Sequence, residues 1–342
     1  MTVLTIAHPS LRIGAGSATG AEEVAAMLDR AIVAAGWRSL VIAAEGSKVA
    51  GQLLTTPRAR TAADHEKVRA AVREHLNKAA PQADIVHFHV TGFHRYLPVK
   101  QARVVVTLHA ANSYYPNGVL ALPGLKFIAV SRNQAWSLPP VRGLKVIENG
   151  VDIKRYRPRS GARGQLVVIA RICREKGIHI ALQVAHALGM PLTIAGPLLE
   201  LGANQAYFDS QVAPYLDAQR RYIGAVDREE KIALFASAKC LLVPSLVHET
   251  SSLVAMEATS SGVPVVAFRS GALPDVVEDG VTGFLVDSAE AMAKAVRFAS
   301  DLSPATCRAR AELRFDSRRM ASEYLACYKH LLFRGAGDNI KG

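Results

Sequence analysis

Cysteine is scarce in this chain. Four are present among 342 residues, Cys173, Cys240, Cys307 and Cys327. They lie far apart, and no two have the spacing of a metal-ligand pair. A reduced, cytoplasmic setting is expected. Long apolar runs are also missing. No stretch approaches the roughly 20 residues needed to span a bilayer, and Met1–Ala7 reads as a first strand, not as a signal peptide. Basic runs with interleaved aromatics are absent, which argues against a nucleic-acid partner.

What remains is a globular composition, 50% hydrophobic and 20% charged. The length suits two domains of about 150 residues each. Lysine and arginine number 41 against 29 acidic residues, a net charge of +12. The basic residues are spread, with modest concentrations at Arg155–Arg163 and Arg308–Arg319. That distribution suits either a solvated surface or attraction to anionic partners, a phosphorylated ligand or peripheral contact with an acidic membrane face.

Short apolar runs alternate with helical patterns, which predicts an α/β protein with parallel sheets. Strands are expected at Val3–Ala7, Ser39–Ala44, Asp84–His89, Arg103–His109, Phe127–Val130 and Lys145–Glu148, with helices at Thr19–Ala35 and Ala63–Ala79. Asn149–Ala162, rich in Gly, Pro and Arg, reads as a linker. The alternation then restarts. Strands are expected at Leu166–Ala170, Pro191–Ala195, Tyr222–Ile223, Cys240–Val243, Val263–Ala267 and Gly283–Val286, and helices at Gly177–Leu188, Arg228–Ala238 and Ser252–Ser261. Two doubly wound domains follow, 1–155 and 156–314, with a cleft between them. Ligands in such folds bind beyond the carboxyl ends of the strands.

The segment Cys240–Phe268 reads CLLVPSLVHETSSLVAMEATSSGVPVVAF. Pro244 and Ser245 end a buried strand, and Ser251 or Ser252 can cap the next helix. Glu249 then lies in the loop before a helix N-terminus, and Glu257 about a turn and a half into that helix. Helical side chains lean toward the N-terminus, so Glu257 reaches back toward the same opening. Two carboxylates and a set of backbone N–H groups suit a ligand with both hydroxyls and phosphates.

This stretch resembles the donor-site signature of glycosyltransferase family 4, retaining enzymes of the GT-B fold, two Rossmann-like doubly wound domains. Glu249, seven intervening residues, Glu257, Gly262 and Pro264 fall on the pattern. The resemblance implies that Glu257 binds the ribose hydroxyls of a nucleotide. It gives Glu249 to the transferred sugar, with the backbone of Thr250, Ser251, Ser252 and Leu253 between them. Thr250–Ser252 departs from the Gly/Pro-Phe-Gly that the family often has there. In Leu166–Gly177, LVVIARICREKG, Arg171 and Lys176 match the family's two cations for a departing diphosphate. Asn149–Asp152 matches its interdomain Asn-Gly-Val-Asp. His109, at a strand end, matches a His commonly near the donor sugar. Ile13–Gly20, IGAGSATG, resembles its glycine-rich loop, in which Gly16 and Gly20 would approach the diphosphate. A helix at about 315–332 is expected to pack back on the first domain, as in similar folds.

The activity implied is transfer of a hexose-type sugar from a UDP- or GDP-sugar to a small-molecule, glycan or lipid-linked hydroxyl acceptor. No cofactor or metal is expected. The chain has no Asp-x-Asp, the motif with which the other common glycosyltransferase fold holds a metal. His87, His89 and His94 lack a carboxylate or Cys that would complete a metal site. Three other readings stay open: a nucleotide-sugar 2-epimerase on the same fold, a non-catalytic nucleotide-binding protein, and a nicotinamide oxidoreductase. The last rests on Gly14, Gly16, Gly20 and Glu45, although several residues separate Ala7 from Gly14 where the fingerprint should follow at once.

Overall fold

The structure, a computed structural model, describes residues 1–14, 20–57, 62–99, 102–158, 163–199 and 202–337. Gly16 lies outside the described residues. The chain divides into two compact units, Met1–Asn149 with Ser317–Gly342, and Gly150–Asp316.

The first unit is built on seven strands: β1 Thr2–Ile6, β2 Arg38–Ala44, β3 Gln52–Thr56, β4 Ile85–Phe88, β5 Arg103–Leu108, β6 Leu125–Ala129 and β7 Lys145–Val146. They lie in the order β3-β2-β1-β4-β5-β6-β7, and every pairing is parallel. Successive residues of the central strands are buried, for example Val104 to Leu108. Burial without alternation follows from covering both faces of a parallel sheet. The strand order reverses direction at β1 and β4, the point beyond which such sheets open for ligands.

The helix Ser317–Gly337 belongs to this first unit. Tyr324 and Tyr328 are fully buried. Their hydroxyls meet Thr107 Oγ1 at 3.0 Å and His87 Nδ1 at 2.7 Å. The Arg319 guanidinium donates to the carbonyls of Glu148 and Asn149, at 2.8 and 3.1 Å.

The second unit has six parallel strands: β8 Gln165–Ile169, β9 Leu192–Ala195, β10 Arg220–Tyr222, β11 Ala238–Val243, β12 Val265–Phe268 and β13 Gly283–Val286. Their order is β10-β9-β8-β11-β12-β13, with the switch point at β8 and β11.

The division falls at Asn149/Gly150 and Asp316/Ser317, not at 155/156 and 314/315 as the composition suggested. The reason is local bonding. Val151 N–H donates to the Phe315 carbonyl at 2.7 Å, and Val151 bridges to Asp316. The Arg308 guanidinium donates to the carbonyls of Ile153, Tyr156 and Ser260. Ile153 and Tyr156 are buried in the second unit's core. Residues 150–158 are therefore packed structure, not a spacer, and 159–162 lie outside the described residues.

Other differences are of the same kind. β7 ends at Val146 rather than Glu148. The edge strand Gln52–Thr56 is only partly buried, so its sequence carries no clean strand pattern. The helices Gly202–Gln211, Ala289–Phe298 and Pro304–Arg314 were not anticipated. Among the described residues no helix is long and apolar enough to cross a membrane.

Arg308 joins three backbone carbonyls, so its loss strands acceptors that water reaches poorly. Arg308→Met is expected to lower the unfolding free energy by about 2 kcal/mol in urea denaturation. Removing the exposed Arg310–Glu278 contact, with 46% and 37% side-chain exposure, should cost under about 0.5 kcal/mol.

Candidate functional site

Beyond the carboxyl end of β8, the chain passes Arg171 and turns through Arg174–Lys176 into the helix Ile178–Leu188. Gly177 makes this turn with φ +65°, and a Cβ there would meet the Pro244 carbonyl at 2.0 Å. The turn is thus pressed against the loop that leaves β11. Leu246 N–H donates to the Glu175 carbonyl at 2.8 Å, tying the two loops together.

That contact brings Lys176 to Glu249. Lys176 Nζ donates to Glu249 Oε1 at 2.5 Å, and Ser245 Oγ donates to the same oxygen at 2.6 Å. The ion pair is largely sheltered, with 21% and 13% side-chain exposure. The Glu249 backbone is held from a third side. Ala272 N–H donates to the Glu249 carbonyl at 2.7 Å, and Ser270 Oγ donates to the Val247 carbonyl. Gly271, with φ +55°, sits so close that a Cβ would meet Glu249 O at 2.2 Å. Sequence reasoning missed this glycine. Its signal was the small-residue run Ser270-Gly271-Ala272 after β12.

The helix after this loop is Leu253–Ser260, with Ser252 at the N-cap. The expected side-chain cap is not formed. Ser252 has φ −135° and ψ 88° and makes no capping hydrogen bond. Ser251 Oγ is buried without a partner among the described residues. The N-cap side chain therefore leaves the first-turn N–H groups uncapped, the arrangement that favours an anion.

Glu257 is 3% exposed on a helix whose residues Ala255 to Ser260 are all buried. A buried carboxylate needs partners. Lys231 Nζ lies 3.0 and 2.8 Å from its two oxygens, and Tyr156 OH donates to Oε1 at 2.8 Å. Lys231 also stands 5.9 Å over the Tyr156 ring. Neither residue was singled out from the sequence. Lys231 lies in the charged run Arg228–Lys231, and Tyr156 in a segment read as linker. Arg171, by contrast, is half-buried, and its side chain has no hydrogen-bond or ion-pair partner among the described residues.

The structure thus brings Lys176 to Glu249 and places Arg171, Thr250, Ser251, Ser252, Leu253 and Glu257 in the same unit. His109 and Gly20 belong to the first unit, where Gly20 opens the helix Gly20–Ala34. His109 Nε2 lies 2.8 Å from His89 Nδ1, and His89 Nε2 lies 3.2 Å from His87 Nδ1. Burial holds all three rings neutral. His87 is pushed down to about 3, His109 to about 4, and His89 well below the usual histidine range. His94 sits apart on the short turn Phe93–Tyr96. Among the described residues no group of three His, Cys, Asp or Glu is arranged to hold a metal ion.

Solved structures share this pair of sheets along nearly the whole chain. AviGT4, a glycosyltransferase involved in avilamycin A biosynthesis, has a TM-score of 0.74 at 24% identity, covering 97% of this chain and 98% of that one. Anabaena Alr3699/HepE in complex with UDP-glucose has a TM-score of 0.74 at 18% identity, covering 96% and 100%. The fold is GT-B. Residues 152–314, almost the whole second unit, match the family model of glycosyl transferases group 1. Among curated proteins, glycogen synthase of Mycobacterium tuberculosis is 32% identical over 199 residues, 54% of this chain and 46% of that protein. D-inositol 3-phosphate glycosyltransferase of Saccharomonospora viridis is 30% identical over 229 residues, 58% and 53%. The chain spans about half the length of the curated relatives it matches.

The histidines give stability a pH dependence. Their folded pKa values lie below the unfolded value near 6.5, so the unfolded chain takes up protons first as pH falls. The stabilisation is complete above that value and is lost as pH drops toward 4 and 3. For fully buried His87 and His89, urea unfolding at pH 5.5 should show a loss of about 3 kcal/mol relative to pH 7.5. Unchanged stability over that interval would contradict their neutral burial.

Proposed function

We propose that this chain is a retaining glycosyltransferase that moves a hexose-type sugar from a UDP- or GDP-sugar to a hydroxyl acceptor, without a metal ion. One observation carries the reading. At the switch point of β8 and β11, Arg171, whose side chain has no partner among the described residues, Lys176 and an uncapped helix N-terminus accompany two carboxylates. Cations and N–H groups suit a diphosphate, and carboxylates suit hydroxyls. A sugar joined to a nucleoside diphosphate offers both. The group 1 match over residues 152–314 and the UDP-glucose held by the Anabaena structure support the same ligand class.

In the proposed reaction the bond from the anomeric carbon to the diphosphate oxygen breaks. The acceptor oxygen bonds to that carbon on the same face, and its proton passes to the departing phosphate oxygen. Arg171, Lys176 and the N–H groups near Ser252 and Leu253 take the charge that develops on the diphosphate. Glu249 suits a sugar hydroxyl better than nucleophilic attack, because Lys176 and Ser245 already draw on its carboxylate. Glu257 is assigned to the ribose. His109 is assigned to a hydroxyl, since a neutral imidazole adds no charge for a phosphate.

Titration with nucleoside diphosphates and their sugars identifies the base. Glu257→Gln keeps an acceptor for Tyr156, and it is expected to weaken nucleotide binding about tenfold. Glu249→Gln should lower turnover 100-fold or more, on the scale of a lost charged hydrogen bond in the transition state. Wild-type transfer rates in both variants would refute the site. Activity lost in EDTA and restored by a divalent metal would refute the metal-free reaction. Nucleotide released with no acceptor present would favour an epimerase.

A further inference from the structure

Between Ile85 and Ile147 the chain carries seven lysines and arginines and no aspartate or glutamate, although the whole sequence has 29 acidic residues. Tyr324–Gly337 of the C-terminal helix has none either. Where carboxylates are missing, the field of a cation is left to solvent and to whatever approaches from it.

The fold gathers these two segments at one rim of the first unit. β5, β6 and β7 lie side by side and begin at Arg103, Leu125 and Lys145. Lys126 donates to the Gly143 carbonyl, which ties the turn before β7 to the start of β6. Arg103 donates to the Leu332 carbonyl at 3.3 Å, which brings the end of the C-terminal helix to the start of β5. Lys145 and Lys126 also act on Cys327 of that helix. Burial pushes its thiol up, and the two lysines oppose the rise. Arg142 is exposed on the turn before β7. The rim has limits. Carboxylates resume at Asp84, before β4, where the side chain accepts from the Thr2 N–H at 2.7 Å. Arg132 stands 3.6 Å from Glu148, so it adds little to this field.

Large apolar side chains stand in water at or beside the same rim. Leu122, in the turn before β6, is 38% exposed, and Phe333, next to Leu332, is 74% exposed. Trp136 is 81% exposed near the end of the short helix Arg132–Ser137, which leads into the turn before β7. Singly such residues are ordinary on a surface, but three along a cationic rim mark a contact face. The headgroup region of a bilayer accepts both kinds of group. An indole seats at its boundary with the acyl chains, and anionic headgroups attract lysine and arginine. A nucleic acid would meet the cations but leave Leu122 and Phe333 in water.

We propose that this rim docks the first unit on an anionic lipid bilayer, with Trp136, Leu122 and Phe333 as the inserted side chains and Lys126, Arg142 and Lys145 as the cations. The inference does not rest on the glycosyltransferase reading. It would add to that reading an acceptor presented at a lipid surface.

Flotation of the full chain with vesicles tests this, using phosphatidylglycerol mixed with phosphatidylcholine against phosphatidylcholine alone. The wild type should float with the anionic vesicles and not with the neutral ones, and raised salt should release it. The Lys126→Gln/Arg142→Gln double variant should bind about 25-fold more weakly, about fivefold for each cation removed. Tryptophan emission should shift to the blue on anionic vesicles and be quenched by brominated acyl chains. Trp136→Ala, a change at an exposed position that leaves the core intact, should abolish both effects. Failure of the wild type to float with anionic vesicles would overturn the proposal, as would equal flotation with neutral ones. So would unshifted, unquenched tryptophan emission in the bound wild type, or a folded double variant that binds as the wild type does.

Discussion

Lys176 and Glu249 stand on loops that leave different strands, β8 and β11, and they meet at 2.5 Å. Their meeting sets demands on several other positions. Gly177 must turn with positive φ against the Pro244 carbonyl, and Gly271 must lie on the Glu249 backbone where no Cβ fits. Ser245 must add its hydroxyl to the same carboxylate oxygen. Three loops from the carboxyl ends of β8, β11 and β12 are thus locked around one ion pair. The parallel sheet supplies the frame, because its strand ends all open on one edge.

A second lysine–glutamate pair lies deeper. Glu257 is almost wholly buried, and removing a carboxylate from water costs several kcal/mol. Lys231 on both oxygens and Tyr156 on one offset that cost. The result is a carboxylate of fixed orientation with part of its acceptor capacity still unused. The two pairs differ in consequence. Lys231 is committed to holding Glu257 in place. Lys176 shares its carboxylate with Ser245 and stands at the same strand end as Arg171, so in the proposed reaction an arriving diphosphate would compete with Glu249 for it. The proposed function would then work by partner exchange, the lysine turning to phosphate as the glutamate turns to sugar hydroxyls.

Much of this was legible in the sequence, for identifiable reasons. Buried parallel strands write continuous apolar runs, and Val-rich segments such as Val104–Val106 and Val265–Ala267 announced themselves. Glu249 and Glu257 were legible because strand, turn and helix signals bracket them. Lys231 and Tyr156 were not, because their role exists only once the helix Arg228–Ser237 and the segment after Gly150 pack on Glu257. The serine cap failed for a related reason. The sequence offers Ser251 and Ser252, yet the backbone at Ser252 holds a geometry that directs neither hydroxyl to the first turn. His87 and His89 were recognisable as sharing a strand face. The bond from His87 to Tyr328 depends on the helix Ser317–Gly337, which lies more than two hundred residues away in sequence.

The central claim is that Glu249 competes with a diphosphate for Lys176. Calorimetric titration of a nucleoside diphosphate lacking its sugar, into the wild type, Glu249→Gln, Lys176→Met and the double variant, tests it most directly. The account predicts that Glu249→Gln tightens binding severalfold by releasing Lys176, and that the gain vanishes in the Lys176→Met background. Affinity unchanged or weakened by Glu249→Gln alone would contradict it.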